Sequence, residues 1–169
     1  MKKKVLIIDT SILCVWLRVC GMETCGSREN EIAYKDVSGK IEKEQKNGTI
    51  FVLPLATIIE TGNHITHANG DIYKTVGAFV DLIKASANSD SPWAAFTEQS
   101  SLWTAKNLIA LADRWKETAA SHQSLGDASI VEVAKYYDES GFEVEIFTGD
   151  QGLKAYEPET SALQPRRRR

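Results

Sequence analysis

The sequence predicts an α/β protein in which a mostly parallel central sheet of about four to five strands lies between two layers of helices. Three short apolar runs, at residues 4–8 (KVLII), 49–53 (TIFVL) and 144–147 (VEIF), match strands buried on both faces. Segments with helical periodicity separate these runs and are long enough to return the chain to the same end of a parallel sheet.

The helices are predicted from capping residues and from the spacing of apolar side chains. Asp9, Thr10 and Ser11 stop the first strand, and all three residue types favour the start of a helix. Further helices are expected at residues 31–46, 54–67, 72–83, 102–115 and 127–139, with loops at 21–30 and 86–100. One or two additional strands are expected near residues 120–125 and 156–163.

Length and composition are those of one globular domain. The chain has 169 residues, of which 43% are hydrophobic and 25% charged. We assign residues 1–163 to a single domain and 164–169 to a basic tail. No apolar run approaches the roughly 18–20 residues of a membrane span, and Asp9 interrupts the first one. The sequence therefore predicts neither a signal peptide nor a membrane anchor.

The cysteines favour a cytoplasmic location. Cys14, Cys20 and Cys25 cannot all pair, and their spacing differs from the C-x2-C pattern of structural zinc sites. We expect free thiols in a reducing compartment.

The body of the chain is acidic. The formal net charge is −3, and it would be −7 without the four arginines at 166–169. A broad basic face for nonspecific nucleic-acid binding is therefore not expected, and basic residues would act as local patches at 2–4 and in the tail. The tail is either a solvated terminus or a phosphate-binding arm.

Four acidic residues follow the predicted strands closely enough to meet at one edge of the sheet. Asp9 and Asp150 come just after strands, Glu60 lies on the helix that leaves the second strand, and Asp127 opens the helix before the third. The carboxyl ends of parallel strands form the usable crevice of such a sheet. Taken singly, each of the aspartates also fits a helix cap and Glu60 an exposed helix residue.

A shared site for four carboxylates requires cations, because like charges repel and their burial is unfavourable. Oxygen ligands without cysteine select hard ions, so Mg²⁺ or Mn²⁺ is expected. Such ions activate water and stabilise charge on phosphoryl oxygens. Hydrolysis of a phosphodiester is the predicted reaction class.

Four segments resemble the acidic motifs of PIN-domain ribonucleases, in the family order. They are VLIIDTSIL (5–13), VLPLATIIETGNHI (52–65), LGDASIVEVAKYY (125–137) and IFTGDQGL (146–153). The resemblance implies a parallel sheet sandwiched by helices, with Asp9, Glu60, Asp127 and Asp150 as catalytic metal ligands. It also implies that Thr10, Ser11 and Thr148 are supporting hydroxyls.

The family resemblance further implies endonucleolytic cleavage of RNA with Mg²⁺ or Mn²⁺. Many members are toxins restrained by a partner protein, so an antitoxin or another operon-encoded partner is expected, as is a role as a toxin or as a defence or stress effector. The segments at 20–48 and 86–100 are longer than in compact toxin-type members. A homodimer is expected because dimers are the commonest symmetric assembly.

Several side chains near these motifs are candidates for substrate contacts. Asn63, His64 and His67 share a helix with Glu60, and His64 could assist substrate binding or be an exposed structural residue. Their spacing differs from the H-E-x-x-H zinc motif. Trp93 is the tryptophan that we would test as an RNA contact. The other three are expected in the core: Trp16, Trp103 and Trp115.

Three other functions can be compared with the sequence. The first is a catalytically silent PIN-like module that binds RNA or a protein as a scaffold. A phosphatase of the haloacid-dehalogenase type also begins with an aspartate after the first strand, but it needs a second two residues later, where Ser11 stands. No G-x-x-x-x-G-K loop is present, which argues against an NTPase.

Overall fold

The computed structural model of the chain describes residues 2–158, and the predicted basic tail at 164–169 lies outside them. The described part contains a parallel sheet, a two-stranded antiparallel ribbon, seven α-helices and one 3-10 helix. The elements follow in the order β1 (Lys4–Ile8), α1 (Thr10–Trp16), β2 (Thr24–Cys25), β3 (Ile32–Ala33), α2 (Tyr34–Lys46), β4 (Ile50–Val52), α3 (Leu55–His67), α4 (Ile72–Ala87), the 3-10 helix (Phe96–Trp103), α5 (Ala105–Ala119), α6 (Leu125–Glu139), β5 (Glu143–Phe147) and α7 (Gln151–Lys154).

Strand β1 is the centre of the sheet, whose order is β4-β1-β5. Both neighbours run parallel to it, and Val5 lies opposite Ile50 on one side and Val144 on the other. The backbone N–H of Asp9 donates to the carbonyl of Phe147 (3.0 Å), which extends the pairing with β5 one residue past β1. All three strands therefore end at the same edge of the sheet. The prediction of an α/β protein with a parallel sheet is confirmed.

Both faces of the sheet are buried, because the side chains of β1 alternate between two hydrophobic clusters. Leu6 and Ile8 pack with residues of α1, α2, α3 and α4. Val5 and Ile7 pack instead with α6 and α7. Burial on both faces explains why the strands read as continuous apolar runs rather than as alternating patterns.

The prediction of four to five strands is wrong, because the parallel sheet in residues 2–158 has three. Near 120–125 the chain makes a turn, and Ser124 then caps α6 by accepting from the N–H of Asp127 (3.0 Å). Residues 156–158 form no strand, and 159–163 lie outside the described residues.

Other groups satisfy the two edges of the sheet. The carbonyl of Ile146 in β5 accepts from Lys154 Nζ, and its N–H donates to Glu157 Oε2, both at 3.0 Å. On the far edge, Phe51 forms an isolated bridge with Trp93. Edge groups with such partners need no further strand.

The ribbon of β2 and β3 was not predicted: β2 lies in the segment expected to be a loop, and β3 lies at the start of the helix expected at 31–46. Its strands pair antiparallel, with Cys25 opposite Ile32. The turn between them closes by a bond from Asn30 N–H to Ser27 C=O (3.0 Å). Strands of two residues are too short to leave a periodic pattern in the sequence.

Trp93 lies between α4 and the 3-10 helix, within the predicted loop, but it is buried. Its side chain is 8% exposed and packs edge-on against Phe51, with 5.8 Å between ring centroids. The predicted loop at 86–100 is also partly helical, since α4 continues to Ala87 and the 3-10 helix begins at Phe96. Trp93 is thus part of the hydrophobic core, and its burial argues against the expected RNA contact.

The remaining helix boundaries differ from the predictions by a few residues. α2 begins at Tyr34 rather than at 31, α5 covers Ala105–Ala119, and α6 begins at Leu125 rather than at Asp127. Within residues 2–158, no helix combines the length and the apolar composition that a membrane crossing requires.

An ion-pair network spans the sheet and α2. Lys4 contacts Glu44 and Glu145, both at 2.7 Å, and Lys40 also pairs with Glu145. Burial would raise the pKa of Glu145, but hydrogen bonds from the two lysines outweigh it and lower that pKa to about 2. The charged form of Glu145 is therefore favoured by folding.

Glu145→Gln is expected to destabilise the protein at pH 7 by on the order of 2–3 kcal/mol, because it leaves the partly buried lysines without their shared partner. The depressed pKa means that the contribution is complete above the ordinary value of 4.5 and is lost as the pH falls toward about 2. Urea unfolding of both proteins at pH 7, 5 and 3.5 tests this.

The matched control for this prediction is Glu139→Gln, which changes an exposed glutamate at the end of α6. Its effect is expected to stay within about 0.5 kcal/mol at each pH. The prediction is contradicted if the loss in free energy of unfolding caused by Glu145→Gln is as large at pH 3.5 as at pH 5.

Candidate active site

Asp9 is held at the end of β1 by two hydroxyl groups. Its Oδ2 accepts from Ser11 Oγ (2.7 Å) and from Thr148 Oγ1 (2.8 Å), and it caps α1 by accepting from the Ser11 N–H (3.3 Å). The residue is only 6% exposed. These bonds fix the orientation of one carboxylate oxygen and leave Oδ1 without a hydrogen bond from the described residues.

The loop after β5 joins Asp150 to Asp9. Thr148 Oγ1 donates to Asp9 and accepts from the Asp150 N–H (2.9 Å), and the Gly149 N–H donates to Ser11 Oγ (3.0 Å). Asp150 also caps α7 by accepting from the Gly152 N–H (2.7 Å). The predicted supporting hydroxyls, Ser11 and Thr148, thus link the ends of two neighbouring strands.

Glu60 reaches the same region from α3. Its Oε2 accepts from Thr10 Oγ1 (3.0 Å), and Thr10 is the neighbour of Asp9. Its other oxygen lies against Gly126, where an added Cβ would stand 2.1 Å from Oε1. Glu60 therefore bridges the start of α1 and the start of α6, which carries Asp127.

Asp127 lies in the first turn of α6, behind the cap Ser124. Burial raises the pKa of its carboxyl, while hydrogen bonding to Ser124 acts in the opposite direction. The negative charges of Asp9 and Asp150 raise this pKa further. Asp127 is thus electrostatically coupled to the carboxylates that follow β1 and β5.

The four acids (Asp9, Glu60, Asp127 and Asp150) have no basic partner among the described residues. The salt bridges of residues 2–158 are made by lysine and arginine side chains, and none of them involves these four acids. In this part of the chain, no three His, Cys, Asp or Glu side chains are arranged as a ready-made metal site. Hydrogen bonds through hydroxyl groups, the contact of Glu60 with Gly126 and the effect of Asp9 and Asp150 on the pKa of Asp127 nevertheless relate the predicted ligands to one region.

The chemistry of this donor set fits a hard divalent cation. Each of the four acids offers oxygen only, and oxygen ligands are those preferred by Mg²⁺ and Mn²⁺. The excess negative charge supplies a reason to bind a cation, since the raised pKa of Asp127 reflects both burial and repulsion. The assignment of these side chains as metal ligands stays a prediction.

The helix α3 carries the other predicted substrate contacts. Asn63 and His64 are exposed, and neither side chain makes a hydrogen bond within residues 2–158. His67 lies at the end of α3, where its Nδ1 is 2.8 Å from the carbonyl of Asn63. Nothing in these contacts links the histidines to Glu60, so their role in substrate binding also stays a prediction.

Two glycines within the sequence motifs have steric roles that the sequence analysis did not assign. Gly126 provides the space that Glu60 occupies, and Gly149 fits against the β2–β3 ribbon, where a Cβ would stand 2.7 Å from Cys25 Sγ. Glycine beside an acidic residue could have signalled close packing, but not which side chain fills the space.

Comparison of the chain with protein-family models, with curated proteins and with solved structures gives no match. The site therefore has to be interpreted from its own geometry and chemistry.

Asp127→Asn is expected to stabilise the metal-free protein. A raised pKa means that the charged carboxylate opposes folding above its ordinary pKa, so removal of the charge helps most near neutral pH. After solvent screening the gain is less than about 1 kcal/mol, or about 1–3 °C in Tm. Thermal unfolding in EDTA at pH 7 measures it.

Asp113→Asn, in the exposed middle of α5, is the control for this charge removal and is expected to leave Tm nearly unchanged. A lower Tm for Asp127→Asn in EDTA speaks against repulsion among the four acids.

Gly126→Ala is expected to displace the carboxylate of Glu60, because the new methyl group would overlap Oε1. Metal affinity falls about tenfold or more when a ligand loses its orientation. The measurement is a titration of Mn²⁺ followed by the rise in Tm.

Gly77→Ala in α4 is the matched control, since a Cβ there meets nothing within 4 Å. It is expected to raise the stability by about 0.5–1 kcal/mol and to leave the response to Mn²⁺ unchanged. If Mn²⁺ raises the Tm of both alanine variants equally, Glu60 is not a metal ligand.

Proposed function

We propose that this protein is a metal-dependent endoribonuclease of the PIN type, with helices layered on both faces of its sheet and Mg²⁺ or Mn²⁺ held by the four acids. The observation that carries the proposal is the gathering of these acids at the carboxyl edge of the sheet without a salt bridge in the described residues. Acidic residues elsewhere in the fold, such as Glu44 and Glu145, do have lysine partners.

The reaction class follows from the charge of the site. An unscreened group of carboxylates repels a phosphodiester, so substrate binding depends on added cations. When bound, divalent cations lower the pKa of a coordinated water and neutralise charge on the phosphoryl oxygens. Phosphodiester hydrolysis uses both effects.

The chain's own residues hold the ligands in position. Ser11 and Thr148 donate to the same oxygen of Asp9, which prevents that carboxylate from rotating. Thr10 Oγ1 donates to one oxygen of Glu60 and helps to orient that carboxylate. Ligands that are already oriented reduce the reorganisation needed when cation and substrate bind.

The likeness of the four motifs to PIN-domain ribonucleases supplies the substrate class and the cellular setting. By that likeness, the substrate is RNA, and the protein acts in the cytoplasm as a toxin or as a defence or stress effector. An inhibitory partner protein and a homodimer belong to the same proposal.

Mn²⁺-dependent cleavage of single-stranded RNA by the purified protein is the expected activity. Asp9→Asn and Asp127→Asn are expected to lower kcat at least about 100-fold, because each removes a ligand charge while nearly preserving side-chain shape. Circular dichroism and Tm establish that the variants fold. Chelation is expected to abolish cleavage by the wild type.

Asp113→Asn is the control for activity, and it is expected to cleave RNA at the wild-type rate. Activity that persists in EDTA after repurification contradicts the metal mechanism. Metal-dependent cleavage that survives both Asp9→Asn and Asp127→Asn points to a contaminating nuclease. RNA binding without cleavage favours the scaffold alternative.

A further inference from the structure

A cavity of about 370 Å³ adjoins two of the four acids. Asp127 and Asp150 form part of its wall, and the rest comes from the turn before α6 and from the chain around α7. Its volume falls within the range of about 300–1,000 Å³ that small-molecule sites occupy. The cavity is thus continuous with the proposed reaction centre.

One wall of this cavity is a strained turn. His122 has a backbone φ of 65°, a left-handed conformation that is unfavourable for a residue other than glycine. The turn is held by its backbone, since the Gln123 carbonyl accepts from Trp115 Nε1 (2.9 Å) and the His122 N–H donates to the Ala119 carbonyl (3.0 Å). Strain of this kind concentrates at functional sites.

The lining of the cavity also includes an exposed aromatic residue. Tyr156 follows α7 and is 46% exposed, although its N–H is fixed to the Leu153 carbonyl (3.1 Å). An exposed ring on an anchored backbone is a suitable stacking surface.

The lining distinguishes among classes of ligand. No lysine or arginine of the described chain lines the cavity, while Asp127 and Asp150 do. The described lining of the cavity thus offers no cationic side chain that could pair with a second phosphate or another anion. The side chains of His122, Gln123 and Tyr156 make no hydrogen bonds within residues 2–158, so their polar atoms are available to a ligand that is flat and uncharged.

From this juxtaposition we infer that the cavity beside Asp127 and Asp150 is a subsite for an unpaired nucleobase of the substrate strand. The base stacks on Tyr156, and His122 and Gln123 hydrogen-bond to its edge, as in other recognition of single-stranded RNA. The inference rests on the proposed function, because it assigns the cavity to a nucleotide next to the scissile phosphate.

Steady-state cleavage of a mixed-sequence, single-stranded oligoribonucleotide in Mn²⁺ tests the subsite. Tyr156→Leu is expected to raise KM about tenfold with kcat nearly unchanged, because loss of base stacking weakens binding by a factor of this order. Tyr156→Phe keeps the stacking ring and is expected to have a KM well below that of Tyr156→Leu. Tyr73→Leu, a 91% exposed tyrosine on α4 that does not line the cavity, is the control.

His122→Gly separates binding from folding. Glycine adopts a positive φ without strain, so the variant is expected to unfold at a higher temperature while its KM rises. A merely structural turn would gain stability with no change in KM, and that result overturns the role of His122.

RNA binding measured in a variant that is not expected to cleave separates the subsite from the proposed nuclease activity. The same oligoribonucleotide, carrying a fluorescent label, is titrated in Mn²⁺ with Asp9→Asn and with Asp9→Asn/Tyr156→Leu, and anisotropy is measured. About tenfold weaker binding by the double variant supports the subsite, and it does so even if the wild type does not cleave. Equal affinities, or unchanged KM in Tyr156→Leu, overturn the subsite and leave metal-dependent cleavage standing. Absence of any RNA binding overturns the subsite as well.

Discussion

The parallel pairing of β1 with both of its neighbours is the constraint on which the rest of the structure depends. Because β4, β1 and β5 run in the same direction, everything that follows a strand begins at one edge of the sheet. The bond between the Asp9 N–H and the Phe147 carbonyl extends this pairing to the edge itself. Residues separated by more than a hundred positions, such as Asp9 and Thr148, thereby come within hydrogen-bond distance.

The acidic residues of this protein fall into two groups whose charges have opposite effects on stability. Glu44 and Glu145 lie among lysines, and their pKa values are lowered, so their charges contribute to stability. At the carboxyl edge, burial and neighbouring charges raise the pKa of Asp127, and its charge opposes folding. The proposed binding of divalent cations would relieve this unfavourable charge.

Several local features position side chains at the carboxyl edge of the sheet. Hydroxyl groups orient Asp9 and Glu60, and the missing side chain of Gly126 makes room for the glutamate. The strained backbone of His122 lies on the wall of the adjoining cavity. Each of these features restricts a side chain or strains the backbone, and so costs free energy of folding. The two hydrophobic clusters on the faces of the sheet stabilise the fold and offset this cost.

The amino-acid sequence by itself determined the α/β class, the three parallel strands, the positions of Asp9, Asp127 and Asp150 at strand and helix ends, and that of Glu60 on a helix. These features are local, since buried strands, caps and helical periodicity are each encoded within a few consecutive residues. Tertiary structure alone decided that the parallel sheet stops at three strands, that Trp93 is buried against Phe51, and that Gly126 accommodates Glu60. It also decided which acids receive lysine partners, because ion pairing and steric fit depend on contacts between residues far apart in the chain.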